Sequence, residues 1–176
     1  MDRYHLYIVL TRTNTLISKL IQLIKKDYFT HAAISLDKEL NRMYSFGRVY
    51  SYNPFIGSFK QERINKGLYK RFDNIPAVII EVEVTKQQYE KAKHLINRFI
   101  TNKEYYKYNY IGLLYSILNR ARYRNDRFLC SEFVYYILSE CQIIDLNIPR
   151  NLVRPQNFLE IKSNIIYNDN LKKLAL

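Results

Sequence analysis

The chain has 176 residues, 48% of them hydrophobic and 25% charged, and carries a net charge of +12. That balance excludes a disordered chain and predicts one domain over residues 1–176, burying roughly 70% of its unfolded surface. The positive excess points to an anionic neighbour (nucleic acid, an anionic membrane surface or a phosphorylated substrate) or to charges that are simply solvated, since they are spread along the chain.

In chain order, Tyr4–Thr11 is rich in β-branched and aromatic residues and reads as a strand. Thr15–Lys26 has a helical apolar period, with Thr13 or Asn14 as N-cap. Thr30–Leu36 is a short apolar strand carrying His31. Asp37–Asn41 turns the chain, and Arg42–Phe46 returns as a hairpin partner that Gly47 ends. Residues 48–75 hold Asn53-Pro54, Gly57 and Gly67, which predicts turns and short strands. Pro76–Val84 is a strand, and Thr85–Ile100 a helix with Thr85 as N-cap and Gln88 closing a capping box. Tyr110–Leu118 reads as a more buried helix, 119–127 as a basic loop and Phe128–Cys141 as a third helix. Pro155–Ile161 starts a short helix with Pro in its first turn, and Ile165–Tyr167 a last strand. Strands followed by helices predict an α+β fold.

Two cysteines bound the chemistry. On one helix, Cys130 and Cys141 stand roughly 16 Å apart, too far for a disulfide. The N-terminal residues lack a signal-peptide core, and the longest apolar stretch is too short to span a bilayer, so a cytoplasmic protein is expected. Three scattered His and two Cys have no ligand spacing, so no metal and no cofactor are expected.

Cys130 falls in the first turn of its helix, at the edge of the apolar face. Free N–H groups and the helix dipole there favour a thiolate, and they can also stabilise an oxyanion beside the sulfur. A small core cysteine fits the same position, and Cys141 reads that way. His31 opens a strand at a sheet edge, from which it can reach a facing helix as a general base, or it can be satisfied by backbone. His94 lies on a charged helix, and nothing places His5 near Cys130.

Thr30-His31-Ala32-Ala33-Ile34-Ser35-Leu36, the hairpin end Met43-Tyr44-Ser45-Phe46-Gly47-Arg48 and the late Leu129-Cys130-Ser131-Glu132-Phe133-Val134 together resemble the circularly permuted NlpC-type papain-like hydrolases. These include YiiX-like bacterial proteins and, more distantly, the lecithin retinol acyltransferase group. The resemblance implies a small antiparallel sheet packed on helices, with the nucleophile helix near the C-terminus. It implies Cys130 as a thioester-forming nucleophile and His31 as base and then acid. In the family a Glu, His or Gln on the next strand orients the imidazole; here that place falls near Ser45. Glu132, two residues beyond Cys130, reads as local and structural.

The substrate class implied is an amide or ester in a peptide, a cell-wall component, a lipid or another small molecule. Arg120, Arg122, Arg124 and Arg127 precede Cys130. Arg124 and Arg127 are candidates to hold a substrate carboxylate or phosphate, or the loop is simply solvated. The run Tyr105-Tyr106-Lys107-Tyr108 with Tyr110 interleaves aromatic and basic residues as single-strand binders do, or packs a helix junction. The competing reading of the whole chain is a non-catalytic module on the same scaffold that contacts nucleic acid or an anionic lipid surface.

Overall fold

Side chains alternate faces along a strand, and in the first strand both faces are apolar, so the sheet must be covered on both sides. The computed structural model describes residues 3–13, 27–48, 57–67 and 69–175. The helix expected over residues 15–26 and the turn at Asn53-Pro54 lie outside them.

The strands are β1 Tyr4–Thr11, β2 His31–Ser35, β3 Met43–Arg48, β4 Gly57–Glu62, β5 Pro76–Val84, β6 Lys107–Tyr108, β7 Arg127–Phe128 and β8 Asn164–Asn170. The α-helices described are α1 Lys86–Thr101, α2 Tyr110–Ile117 and α3 Cys130–Glu140. The fold is α+β, as expected, but the sheet is not small. Among the described residues, eight strands run in the order β7-β6-β4-β3-β2-β1-β5-β8, antiparallel except between β6 and β7. The two-residue β6 and β7 extend the β4 edge within segments that carry no strand pattern.

Leu6, Ile8 and Leu10 of β1 face one layer together with Ala32, Ile34, Val78 and Ile80. That layer contains Leu95, Ile96 and Phe99 of α1 and Phe133, Val134, Ile137 and Leu138 of α3. Tyr7 and Val9 face the opposite layer with Ala33, Met43, Ile79, Tyr69 and Leu171. The capping box of α1 forms as expected: the Gln88 backbone N–H donates to Thr85 Oγ1 at 3.2 Å, and Gln88 Oε1 accepts the Thr85 N–H at 2.9 Å. Residues 155–160 form a 3-10 helix, with Pro155 in its first turn.

Three more expectations change. Gly47 does not end its strand, because β3 runs through it to Arg48 and pairs with β4. The helix begins at Cys130 and not at Phe128, because Phe128 belongs to β7. Helix α2 is not a buried helix: Ile111, Leu114 and Leu118 are 53%, 62% and 65% exposed. No described helix is long and apolar enough to cross a membrane.

The helix-side core turns on aromatic rings. Phe46 is fully buried and lies within 6 Å, centroid to centroid, of Phe59, Phe99, Phe128 and Phe133. Tyr106 packs on Phe99 at 4.2 Å, so this member of the tyrosine run serves the helix junction. Truncating Phe46→Ala removes a ring from a site that four other rings cannot readily refill. Urea unfolding should show a loss of about 3–5 kcal/mol; a loss below about 1 kcal/mol would mean that this cluster does not anchor the fold.

Candidate active site

A period of two places His31 of β2, Ser45 and Gly47 of β3, and Lys60 and Glu62 of β4 on one face of the sheet. β2 and β4 are two strand spacings apart, roughly 9–10 Å. The small Ser45 and Gly47 between them leave room for longer side chains to meet above β3. A Cβ at Gly47 would stand 3.1 Å from the Lys60 Cε and 3.7 Å from the His31 Cε1, so the glycine clears this passage.

His31 and Glu62 meet there. The His31 Nε2 lies 3.1 and 3.2 Å from the two Glu62 carboxylate oxygens. Ser45 Oγ donates to Glu62 Oε1 at 2.7 Å, Tyr69 Oη donates to Oε2 at 2.9 Å, and Lys60 Nζ is 3.2 Å from Oε1. Glu62 is only 5% exposed, so its charge depends on these donors.

The Cys130 thiol lies beside the His31 ring, close enough for each to shift the other's protonation. An imidazole has two nitrogens, and with Nε2 on Glu62 the sulfur falls to Nδ1. The backbone amides of Ala32 and Ser131 also favour the thiolate. Ser131 contributes through the free N-terminal end of α3. Ala32 contributes through an opening in the sheet. The β2–β3 ladder covers Ile34↔Tyr44 and Ser35↔Met43, and the Leu36 N–H donates to Arg42 O on the β3 side. Amides alternate along a strand, so the Ala32 N–H faces that same side, beyond the end of the ladder.

Burial opposes every charge in this cluster, and the partners overcome it. For His31, burial lowers the pKa, but the Glu62 charge and hydrogen bonds to Cys130 and Glu62 push it up to about 10. For Glu62, burial favours the acid, yet the His31 and Lys60 charges hold the carboxyl below the usual range. For Cys130, burial raises the pKa, and the hydrogen bond and charge of His31, then the two amides, bring it down. Tyr69 stays protonated, because burial and the Glu62 charge raise it well above 10. These directions together favour a thiolate–imidazolium pair on an ionised Glu62. Cys141 differs: burial pushes it up to about 11, and it is a core thiol as expected.

Two of the sequence-predicted site residues, Cys130 and His31, come together. Ser45 is in place but in another role. Its proton goes to Glu62 and not to the ring, and the orienting group is the carboxylate one strand further on. Arg124 and Arg127 both face Asp126, at 2.9 and 3.7 Å, which answers part of their charge away from any substrate. Arg122 donates to Tyr115 Oη at 2.6 Å, and its guanidinium stacks on that ring. Glu132 is structural, as read: fully buried, it accepts from the Leu129 N–H and from Arg150 Nε, both at 3.1 Å.

Sequence reasoning missed Glu62, Lys60 and Tyr69. The available signal was the alternation Ser58, Lys60, Glu62 against the buried Phe59, hidden by the turn-forming residues on either side. No group of three or more His, Cys, Asp and Glu among the described residues is arranged to hold a metal ion. Comparison with family models, characterised proteins and solved structures gave no match.

The ion pair has a thermodynamic signature. His31 rises above its unfolded 6.5, so its contribution is full below that pH and fades as pH climbs through the folded value. Cys130 falls below its unfolded 9.0, so the folded chain has lost there the proton that His31 has gained. The two effects oppose each other, so the wild-type pH dependence from this site is weaker than His31 alone would give. Cys130→Ser removes one half of the compensation. Urea unfolding of that variant should show stability falling by up to about 1.4 kcal/mol per pH unit above pH ~6.5; a variant no steeper than wild type contradicts the pairing.

Proposed function

We propose that the protein is a cysteine hydrolase or acyltransferase that acts on an amide or ester bond through a thioester at Cys130. The observation that carries the proposal is a half-buried thiol at the start of α3 beside an imidazole whose Nε2 is bonded to a buried carboxylate. The order of the elements, a His strand before a Cys helix, agrees with a permuted papain-like fold, which we propose as the family relationship.

The Cys130 thiolate attacks the substrate carbonyl carbon, forming a C–S bond and an oxyanion. N–H groups at the start of α3, with that of Ala32, offer the oxyanion hydrogen bonds. The His31 imidazolium gives its Nδ1 proton to the leaving amine or alcohol as the tetrahedral species collapses to the thioester. The now neutral His31 removes a proton from the acceptor, which attacks the thioester and frees the thiolate. Water as acceptor gives an acid; an alcohol or amine gives a transferred acyl group. Glu62 keeps Nε2–H pinned and stabilises each imidazolium, the role a third residue plays in Cys–His enzymes.

The test is alkylation by iodoacetamide at pH 7, read by mass spectrometry at both cysteines. Cys130 should react far faster than Cys141. His31→Ala should slow Cys130 by ~10²-fold or more, and Glu62→Gln by roughly tenfold or more, through loss of thiolate. Equal rates at the two thiols would sink the proposal. Any hydrolysis of a p-nitrophenyl ester should vanish in Cys130→Ala and fall by ~10²–10⁴ in His31→Ala.

A further inference from the structure

The outward side of α2 has no part in the chemistry proposed at Cys130. Ile111, Leu114, Tyr115 and Leu118 stand at i, i+3, i+4 and i+7, so they share one helix face. Leu114 and Leu118 are each more than 60% exposed, while Gly112 on the other side is buried against Asn109. A soluble helix ordinarily turns such a stripe inward.

The charge around the stripe says what would cover it. From residue 105 to 125 there is no Asp or Glu, and Lys107, Arg120, Arg122 and Arg124 are cations. Arg124 is paired with Asp126, but Arg120 and Arg122 have no acidic partner among the described residues. Both are exposed, and Arg122 stacks on Tyr115, which places its guanidinium beside the stripe. Tyr105 and Tyr123 add exposed aromatic rings, 63% and 54% exposed, in the same acid-free segment. Exposed apolar side chains, with exposed tyrosines and arginines lacking an acidic partner in the same segment, suit the headgroup boundary of an anionic bilayer. A second copy of this chain would set Arg120 and Arg122 against their own like charge.

We propose that the Ile111–Leu114–Leu118 face of α2, with Arg120 and Arg122 beside it, docks the protein on an anionic lipid surface. The test is sedimentation of the full chain with vesicles of phosphatidylcholine, with or without about 30% phosphatidylserine. Wild type should bind the anionic vesicles at least tenfold better, and about 0.5 M salt should weaken that binding. Leu114→Asp/Leu118→Asp and the milder Leu114→Gln/Leu118→Gln should each lose about tenfold or more. Arg120→Glu/Arg122→Glu should erase the preference for phosphatidylserine. All should keep wild-type Cys130 alkylation, which separates a failure here from a failure of the cysteine chemistry. Three results would overturn the docking proposal: leucine variants that bind like wild type, no vesicle binding at all, or a wild-type dimer that those variants dissolve without any lipid effect.

Discussion

Glu62 is the constraint on which the site depends. A carboxylate taken out of water loses several kcal/mol of solvation, and removing one partner of such a buried pair commonly costs about 3–5 kcal/mol. Here the charge is kept by four donors from four places in the chain: His31, Ser45, Lys60 and Tyr69. Each satisfies Glu62 and is fixed by it in turn. The imidazole cannot rotate without breaking its bond at Nε2, so its other nitrogen stays aimed at Cys130.

The sheet provides the conditions for this. Ser45 and Gly47 are small, so β3 can be bridged from above. The β2–β3 ladder stops short of Ala32, whose backbone amide favours the thiolate. On the other side, Glu132 and Arg150 hold the start of α3, and Ser131 Oγ bonds the Val153 carbonyl at 2.6 Å. These contacts fix the helix end that carries the thiol. They also explain two acidic residues with opposite fates. Glu132 sits two residues from Cys130 in sequence and serves the backbone; Glu62, 68 positions away, serves the imidazole.

The elements with long patterns were legible in the sequence. β1, β5, α1 with its cap, and the helix of Cys130 all follow from period and capping chemistry. Cys130 and His31 could be singled out because a helix start and a strand start are places where those residue types can act. Glu62 could not, because its importance comes from strand order. Nothing local in Gly57–Glu62 says that β4 lies two places from β2. Ser45 shows the same limit: the residue was found, but its partner was set by register. α2 misled for another reason, since a continuous apolar run looks alike whether it is buried or half open. β6 and β7 are too short to carry any period.

The direct test of this account is the protonation of His31 itself. A ring-nitrogen NMR titration with His31 assigned would report it without any substrate. In wild type the imidazole should stay protonated far above 6.5, toward about 10, and in Glu62→Gln it should titrate markedly lower. A wild-type His31 that titrates at or below about 6.5, the value of a free or merely buried imidazole, would contradict it.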